Sequence, residues 1–526
     1  MFDHARNRII CVREDHTAPE REAVNTLVAI DCNAGGAGQV IASGHDFYST
    51  PSLSPDGVQL CWLAWRHPNM PWTATELWLA DSAVDGALSN IRCIEGAQGG
   101  ESIFQPSWAP DGRLYFVSDR TGWWNLYRWA PEGAQALAPM EAEFGLPQWG
   151  LGMATFGFAD ANTAICTYVR DGSSHLARLD LVTGALAQLH VFSEVRVLRV
   201  ASSCAAFVAG APTEKACVVR LDLKTGEFQS LRASSNTVID PAFVSLPEMA
   251  DYPTTGGVTA HAFYYAPLNP LHRAPAGERP PLIVFSHGGP TGATTSTLDF
   301  DVQFWTSRGF GVLDVNYRGS TGYGRPYREL LYDQWGIADV EDCINGARYL
   351  VKQGRVDGSR LLIRGGSAGG YTTLMALVSS DVFAAGASYF GVSDAEALAL
   401  ETHKFESRYL DWLIGPYPAR RDLYRERSPI THVEKLASPA IFLQGLDDKV
   451  VLPNQAEMMV DALRKKGIPV AYVAYEGEGH GFRRAENIIH SQQAELYFYA
   501  QVLDLTPADE LPEIEIVNLT RLARSI

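Results

Sequence analysis

Several features that would suggest particular classes of protein are scarce or missing in these 526 residues. There is no basic, apolar leader at the start and no apolar run near the roughly 18 residues that a membrane-spanning helix needs. Acidic residues outnumber basic ones by 60 to 43, which gives a net charge of −17. Such a charge repels polyanions, so nucleic acid is not expected as a partner. We therefore predict a soluble, cytoplasmic protein that binds no membrane.

Cysteine is also sparse and carries no pairing pattern. The eight cysteines lie mostly inside strand-like runs, which predicts reduced, buried thiols in a reducing compartment; they are residues 11, 32, 61, 93, 166, 204, 217 and 343. Neither a Cys-x-x-Cys pair nor an HExxH motif occurs. Metal-assisted hydrolysis is therefore disfavoured, and we expect no metal or other cofactor.

A glycine-flanked serine stands between an apolar run and a helix-forming stretch in residues 360–379. Gly365, Ser367 and Gly369 form a G-x-S-x-G pattern, which is typical of a nucleophile on a sharp strand-to-helix turn. A glycine-rich turn with a capping serine is the alternative for this pattern taken alone. Ser367 is the candidate nucleophile.

An acid and a histidine follow in the chain order of α/β-hydrolases, each after a predicted strand. Asp447 and Asp448 lie in the loop that ends the apolar segment 438–451, and His480 lies in the glycine-rich loop after the strand at 470–475. We favour Asp447, the first acid after its strand, as the residue that orients His480. Ordinary turn acids and a solvated histidine are the alternatives for the residues taken singly.

The segment 281–290 ends in His-Gly-Gly-Pro and offers a second donor for an oxyanion. The backbone amides of Gly289 and Ala368 are the candidate pair of donors. His287 fits a structural role in the turn better than that of a second base.

These motifs, together with Asn-Tyr-Arg-Gly-Ser-Thr-Gly-Tyr-Gly at 316–324, resemble the prolyl oligopeptidase family of serine peptidases, in its dipeptidyl aminopeptidase/acylaminoacyl peptidase branch. The resemblance covers about residues 247–510. It implies a triad of Ser367, Asp447 and His480 and an oxyanion hole of Gly289 and Ala368. Family members commonly have proline directly after the loop valines, whereas here Leu452 comes first.

A different pattern fills the first half of the chain. Five short, similar segments recur at spacings of 50, 49, 50 and 42 residues, each ending in a turn; they begin at Leu27, Leu77, Leu126, Leu176 and Val218. Repeats of this length with several short strands predict a β-propeller. Family propellers usually have about seven or eight blades, so the five seen here indicate either missing blades or a closed five-bladed ring.

The repeat stops near residues 236–250, and apolar strands then alternate with amphipathic helices. This order predicts an all-β propeller over residues 1–245, followed by an α/β-hydrolase domain with a mainly parallel, doubly wound sheet over 246–526. Oligomeric state does not follow from the sequence, and a homo-oligomer stays open.

Substrate selection is the least determined feature. In aminopeptidase-type relatives an acid from the propeller holds the free amine of the substrate, and Glu101 is the candidate, with a solvated loop acid as the alternative. Phe390, Val392 and Val450 are candidates for an apolar primary pocket, although core packing explains them almost as well.

The expected function is a serine peptidase that acts at the N-terminus of short peptides or on aminoacyl amides. Alternatives are an acylaminoacyl peptidase, a carboxylesterase or amide hydrolase, and a non-catalytic propeller binding module.

Overall fold

The computed structural model describes residues 1–18 and 20–519, which divide into two compact units. Unit 1 contains residues 1–236 and the short segment 321–326, and unit 2 contains residues 237–320 and the chain from 327 onward. The division at 236/237 lies a few residues before the predicted boundary at 245/246.

The segment 321–326 joins unit 1 through polar contacts. The Arg325 guanidinium lies 3.0 Å from the Asp119 carboxylate, and the Gly324 amide donates to Glu143 over 3.1 Å. The prediction had placed this segment wholly in the hydrolase part of the chain.

Unit 1 consists, in its described residues, of five antiparallel sheets of four strands each, in chain order. The first two sheets are β1 (Phe2–Asp3), β2 (Arg8–Asp15), β3 (Val24–Asp31), β4 (Gln39–Ala42) and β5 (Phe47–Leu53), β6 (Gln59–Trp65), β7 (Glu76–Ser82), β8 (Leu88–Glu95). The third is β9 (Ile103–Trp108), β10 (Leu114–Ser118), β11 (Asn125–Arg128), β12 (Gln135–Ala136). The last two are β13 (Phe156–Phe158), β14 (Thr163–Arg170), β15 (Ser173–Asp180), β16 (Leu186–Phe192) and β17 (Glu194–Val200), β18 (Cys204–Ala211), β19 (Glu214–Asp222), β20 (Phe228–Ala233).

The sequence repeat has a direct structural counterpart. Each of the five recurring segments contributes to the third strand of its sheet, namely β3, β7, β11, β15 and β19. Each of these strands is an inner strand, because it pairs with another strand along both of its edges. Neighbouring sheets also share apolar clusters, such as Leu176 of the fourth sheet with Phe207 of the fifth. The propeller-like architecture and the five repeats are confirmed.

Unit 2, up to residue 519, is built on one eight-stranded sheet in the order β21-β22-β24-β23-β25-β26-β27-β28. The strands are β21 (Pro247–Pro253), β22 (Thr259–Tyr265), β23 (Leu282–Ser286), β24 (Gly311–Asn316), β25 (Leu361–Gly366), β26 (Ala385–Tyr389), β27 (Ala440–Gly445) and β28 (Val470–Tyr475). The first two run antiparallel to their neighbours and the other six are parallel. This confirms the predicted mainly parallel sheet.

Helices follow the parallel strands, as connections between parallel strands require. They are α1 (Phe300–Thr306), α2 (Gly324–Glu329), α3 (Ala338–Lys352), α4 (Ala368–Ser379), α5 (Ala395–Glu401), α6 (Leu410–Leu413), α7 (Arg421–Glu426), α8 (Asn454–Lys466) and α9 (Ala485–Val502). In the part of the chain that the structure describes, 3₁₀ turns cover His4–Arg6, Pro241–Phe243, Thr255–Gly257 and Pro429–Lys435. The central strands are mainly apolar because helices cover the sheet and leave them little access to water; Asp314 and Arg364 are among the exceptions.

Two expectations from composition can be compared with this fold. Among the helices of the described chain, none has both the length and the apolar character that a bilayer crossing requires. All eight cysteines are unpaired, but only Cys61, Cys166 and Cys343 are fully buried and Cys32 is exposed. The prediction of buried thiols therefore holds for only some of them.

Candidate active site

The turn from β25 to α4 presents Ser367 at the carboxyl end of a central strand. Ser367 has φ 56° and ψ −119°, a conformation that is strained for a residue with a side chain and typical of a nucleophile elbow. A β-carbon at Gly365 would collide with the backbone of Gly369, and one at Gly369 would collide with the carbonyl oxygen of Ser286. Both glycines of the pattern are thus required by close backbone approach.

His480 lies between the nucleophile and an acid. Its Nε2 is 2.9 Å from Ser367 Oγ, and its Nδ1 is 2.8 Å from Asp448 Oδ2. The Asp448 side chain is wholly inaccessible to water, and its other oxygen accepts from the amides of Val450 and Val451 at 2.8 and 3.0 Å. The arrangement matches a nucleophile, a base and an orienting acid.

The prediction of Asp447 as the orienting acid is wrong. Its side chain is exposed, and its own amide donates to the carbonyl of Glu478 over 2.9 Å. The chain turns directly after β27, so that the second of the two aspartates faces inward. There the amides of Val450 and Val451 fix the Asp448 carboxylate toward His480.

The loop that carries His480 is held by Glu478, a residue that the sequence did not single out. The Glu478 side chain is buried and accepts from the amides of Arg483 and Arg484, each at 2.9 Å, and from the Asn487 side chain. The hydrogen bond from Asn487 is the main cause that lowers the pKa of this carboxyl. A glutamate two residues before the histidine carries no distinctive signal in a single sequence.

The structure brings the two predicted oxyanion donors to the nucleophile. Gly289 and Ala368 line the same cavity as Ser367, and Ala368 is the first residue of α4. A β-carbon at Gly288 would lie 3.6 Å from the β-carbon of Ser367, which shows how closely the loop approaches the elbow. Within the described chain neither the Gly289 nor the Ala368 amide donates to another group. Both are available to an oxygen bound at Ser367.

His287, in the same turn, has a structural role as predicted. Its ring stacks on Tyr317 at 4.2 Å and contacts the Ser320 hydroxyl over 2.8 Å. Burial lowers the pKa of His287 to about 4, so the ring is neutral near pH 7.

A small cavity of about 30 Å³ adjoins Ser367. Val392 and Val450 line it, as predicted, and residues that the sequence did not indicate complete it: Pro290, Trp335, Leu398, Thr402, Glu406, Tyr409, Leu410, Leu413 and Val451. Phe390 is not among the lining residues. Its backbone has φ 39°, and its ring meets the His480 ring edge-on at 4.9 Å. Phe390 therefore packs against the base and does not line this cavity, in contrast to the prediction.

Glu101 belongs to unit 1 and is already engaged there. Its carboxylate accepts from the Ser118 hydroxyl over 2.6 Å and from Arg120 Nε over 3.0 Å. Arg120 also pairs with Glu95 at 2.8 Å. The role of Glu101 as an amine anchor stays a prediction.

The hydrolase sheet, the elbow and the Ser–His–Asp geometry define a serine hydrolase of the α/β class. The sequence profile of the prolyl oligopeptidase family matches residues 296–506. A solved puromycin hydrolase is 39% identical, with a TM-score of 0.93, and the match covers 98% of this chain and 79% of that one. The chain belongs to the prolyl oligopeptidase family of serine peptidases.

Two curated relatives match part of the chain. Dipeptidyl aminopeptidase BIII of Pseudoxanthomonas mexicana is 33% identical over 213 residues, which are 39% of this chain and 31% of the relative. The acylamino-acid-releasing enzyme of Arabidopsis thaliana is 31% identical over 223 residues, which are 40% of this chain and 28% of the relative. The matched part thus spans about a third of the length of these relatives.

Proposed function

We propose that this protein is a serine aminopeptidase that cleaves residues from the free N-termini of short peptides, or hydrolyses aminoacyl amides, through an acyl-enzyme on Ser367. The observation that carries this proposal is the position of His480, 2.9 Å from Ser367 Oγ and 2.8 Å from Asp448 Oδ2. A serine hydroxyl is a weak nucleophile until a base takes its proton, and this geometry supports that transfer.

In the first half of the reaction, Ser367 Oγ attacks the carbonyl carbon of the scissile amide and its proton passes to His480 Nε2. Asp448 holds the ring so that Nδ1 carries a proton and Nε2 is free to accept. The carbonyl oxygen becomes an oxyanion, which the Gly289 and Ala368 amides stabilise; each such donor is worth about 10²–10³ in turnover. His480 then protonates the leaving amine as the carbon–nitrogen bond breaks.

In the second half, water attacks the acyl-enzyme ester and gives a proton to His480. The tetrahedral intermediate collapses, Ser367 Oγ leaves with that proton, and the free carboxylic acid departs. The same donors serve both halves, so neither a metal nor an organic cofactor is needed for this chemistry.

The choice of substrate class is supported by similarity to a puromycin hydrolase and to a dipeptidyl aminopeptidase. The match to the puromycin hydrolase covers nearly the whole chain, so puromycin is a test substrate. An acylaminoacyl peptidase is the second candidate, which the similarity to the Arabidopsis enzyme favours.

The test uses alanyl p-nitroanilide and its N-acetyl twin with wild type and with Ser367→Ala. We expect the wild type to prefer the free amine and Ser367→Ala to lose at least about 10⁴-fold in kcat while melting at the wild-type temperature. Preference for the acetylated twin would instead support the acylaminoacyl peptidase. Undiminished activity in Ser367→Ala would refute the mechanism.

A further inference from the structure

Three of the residues that line the mainly apolar cavity beside Ser367 carry a polar group for which the described chain offers no hydrogen-bond partner. The indole nitrogen of Trp335 and the hydroxyl of Thr402 are buried and unpartnered. The third group is the Glu406 carboxylate, which lies 3.6 Å from His403 Nε2. Polar groups of this kind can form hydrogen bonds with a ligand that enters the cavity.

Glu406 is the charged member of this group. Its side chain is 23% exposed, and His403, its neighbour, is 49% exposed and so largely solvated. Burial raises the pKa of Glu406, which reflects the cost of holding a carboxylate away from water. A cation brought by the substrate would offset this cost, because a carboxylate pairs most strongly with a charged donor.

We infer that Glu406 binds the ammonium group of the amino-acid residue whose carbonyl Ser367 attacks, and thereby selects substrates that carry one. The inference rests on the proposed function and adds to it a specificity-determining residue in unit 2. Glu101, the acid predicted from the sequence, already has the Arg120 guanidinium and the Ser118 hydroxyl as partners. Glu406 has no comparable partner in the described chain, which makes it the stronger candidate.

The ammonium could be the α-amine of an N-terminal residue or the ε-amine of a lysine side chain. Three p-nitroanilides separate these sources: alanyl, N-acetyl-alanyl and N-acetyl-lysyl. The small cavity makes alanine the reference side chain. Glu406→Gln removes the charge and keeps the shape, and Glu401→Gln is the matched control, since Glu401 is an exposed acid at the end of α5.

We expect Glu406→Gln to lower kcat/KM about 10- to 100-fold for the substrate with the bound ammonium, as loss of a charge-assisted hydrogen bond does. The N-acetyl-alanyl substrate should change less than twofold, and Glu401→Gln should match wild type throughout. Loss on the alanyl substrate assigns the α-amine, and loss on the N-acetyl-lysyl substrate assigns the side chain.

Three outcomes would overturn the inference. The first is a kcat/KM in Glu406→Gln that equals the wild-type value on every substrate. The second is an equal loss of kcat/KM on all three substrates, which would show that Glu406 acts on His480. The third is a loss of the preference for alanyl over N-acetyl-alanyl p-nitroanilide in Glu101→Gln but not in Glu406→Gln, which would assign ammonium binding to Glu101 of unit 1. Inhibition of the wild-type enzyme gives a second readout. We expect alaninamide to inhibit at a concentration at least about tenfold lower than N-acetyl-alaninamide. Failure of the proposed function is seen separately, in wild type and Ser367→Ala.

Discussion

The assignment of the orienting acid can be tested by comparing two adjacent aspartates. In Asp448→Asn, the Val450 and Val451 amides would keep the carbonyl oxygen of the new side chain in the place of Oδ1. The amide nitrogen would then face His480 Nδ1 as a donor. Nδ1 would have to be the acceptor, so the ring proton would move to Nε2 and block proton transfer from Ser367.

A wrong tautomer of this kind lowers kcat about 10⁴-fold, which corresponds to about 5 kcal/mol of transition-state stabilisation. KM should change little, because Asp448 is buried and does not line the cavity beside Ser367. The assay is steady-state hydrolysis of alanyl p-nitroanilide, with thermal melting to show that each variant is folded.

The matched control is Asp447→Asn, which makes the same chemical change one residue earlier on an exposed side chain. We expect its kcat to stay within about twofold of wild type, since surface substitutions away from the site have small effects. A large loss in Asp447→Asn, with Asp448→Asn near wild type, would refute the assignment and restore the prediction made from the sequence.

Two further predictions concern the oxyanion loop and a buried acid. Gly289 has φ 124°, and a β-carbon there would lie 2.9 Å from the Thr291 amide nitrogen, so Gly289→Ala should lower kcat about 10²–10³-fold; Gly292→Ala is the control, and equal rates would exclude the Gly289 amide as a donor. Burial raises the pKa of Asp314 to about 7, so the folded state retains a proton that the unfolded state loses above about pH 4. The free energy of unfolding of wild type, relative to Asp314→Asn, should therefore fall by about 2–3 kcal/mol between pH 5 and 8 in urea titrations; a difference that is constant with pH would contradict this.

The parts of the molecule that depend on local pattern were predictable from the sequence. The elbow around Ser367 needs glycines at two fixed positions, and His480 follows a strand that is apolar along its length. The five recurring segments form the third strands of their sheets. Their apolar residues recur because each of these strands lies between two others. In these cases the residue types and their spacing reflect a local steric or packing requirement.

The rest depended on contacts that the order of residues does not encode. Asp447 and Asp448 are chemically identical, and only the turn geometry after β27 directs the second one to His480. Glu406 and Trp335 reach the cavity from segments far apart in the chain, with no motif at either place. Phe390 was assigned to the pocket by its position after β26, but its backbone conformation directs its ring to His480 instead.

The segment 321–326 limits how the two units can be recombined among relatives. The Asp119 side chain is fully buried, and a fragment that ends at residue 236 leaves out the Arg325 guanidinium beside it. Without Arg325 the buried Asp119 carboxylate keeps the Ser102 amide but loses its guanidinium partner. Breaking a buried ion pair is destabilising, so such a fragment would be a poor substitute for unit 1. A chimaera that exchanges propellers must carry residues 321–326 with the donor propeller, although more than 80 residues of hydrolase sequence separate the two pieces.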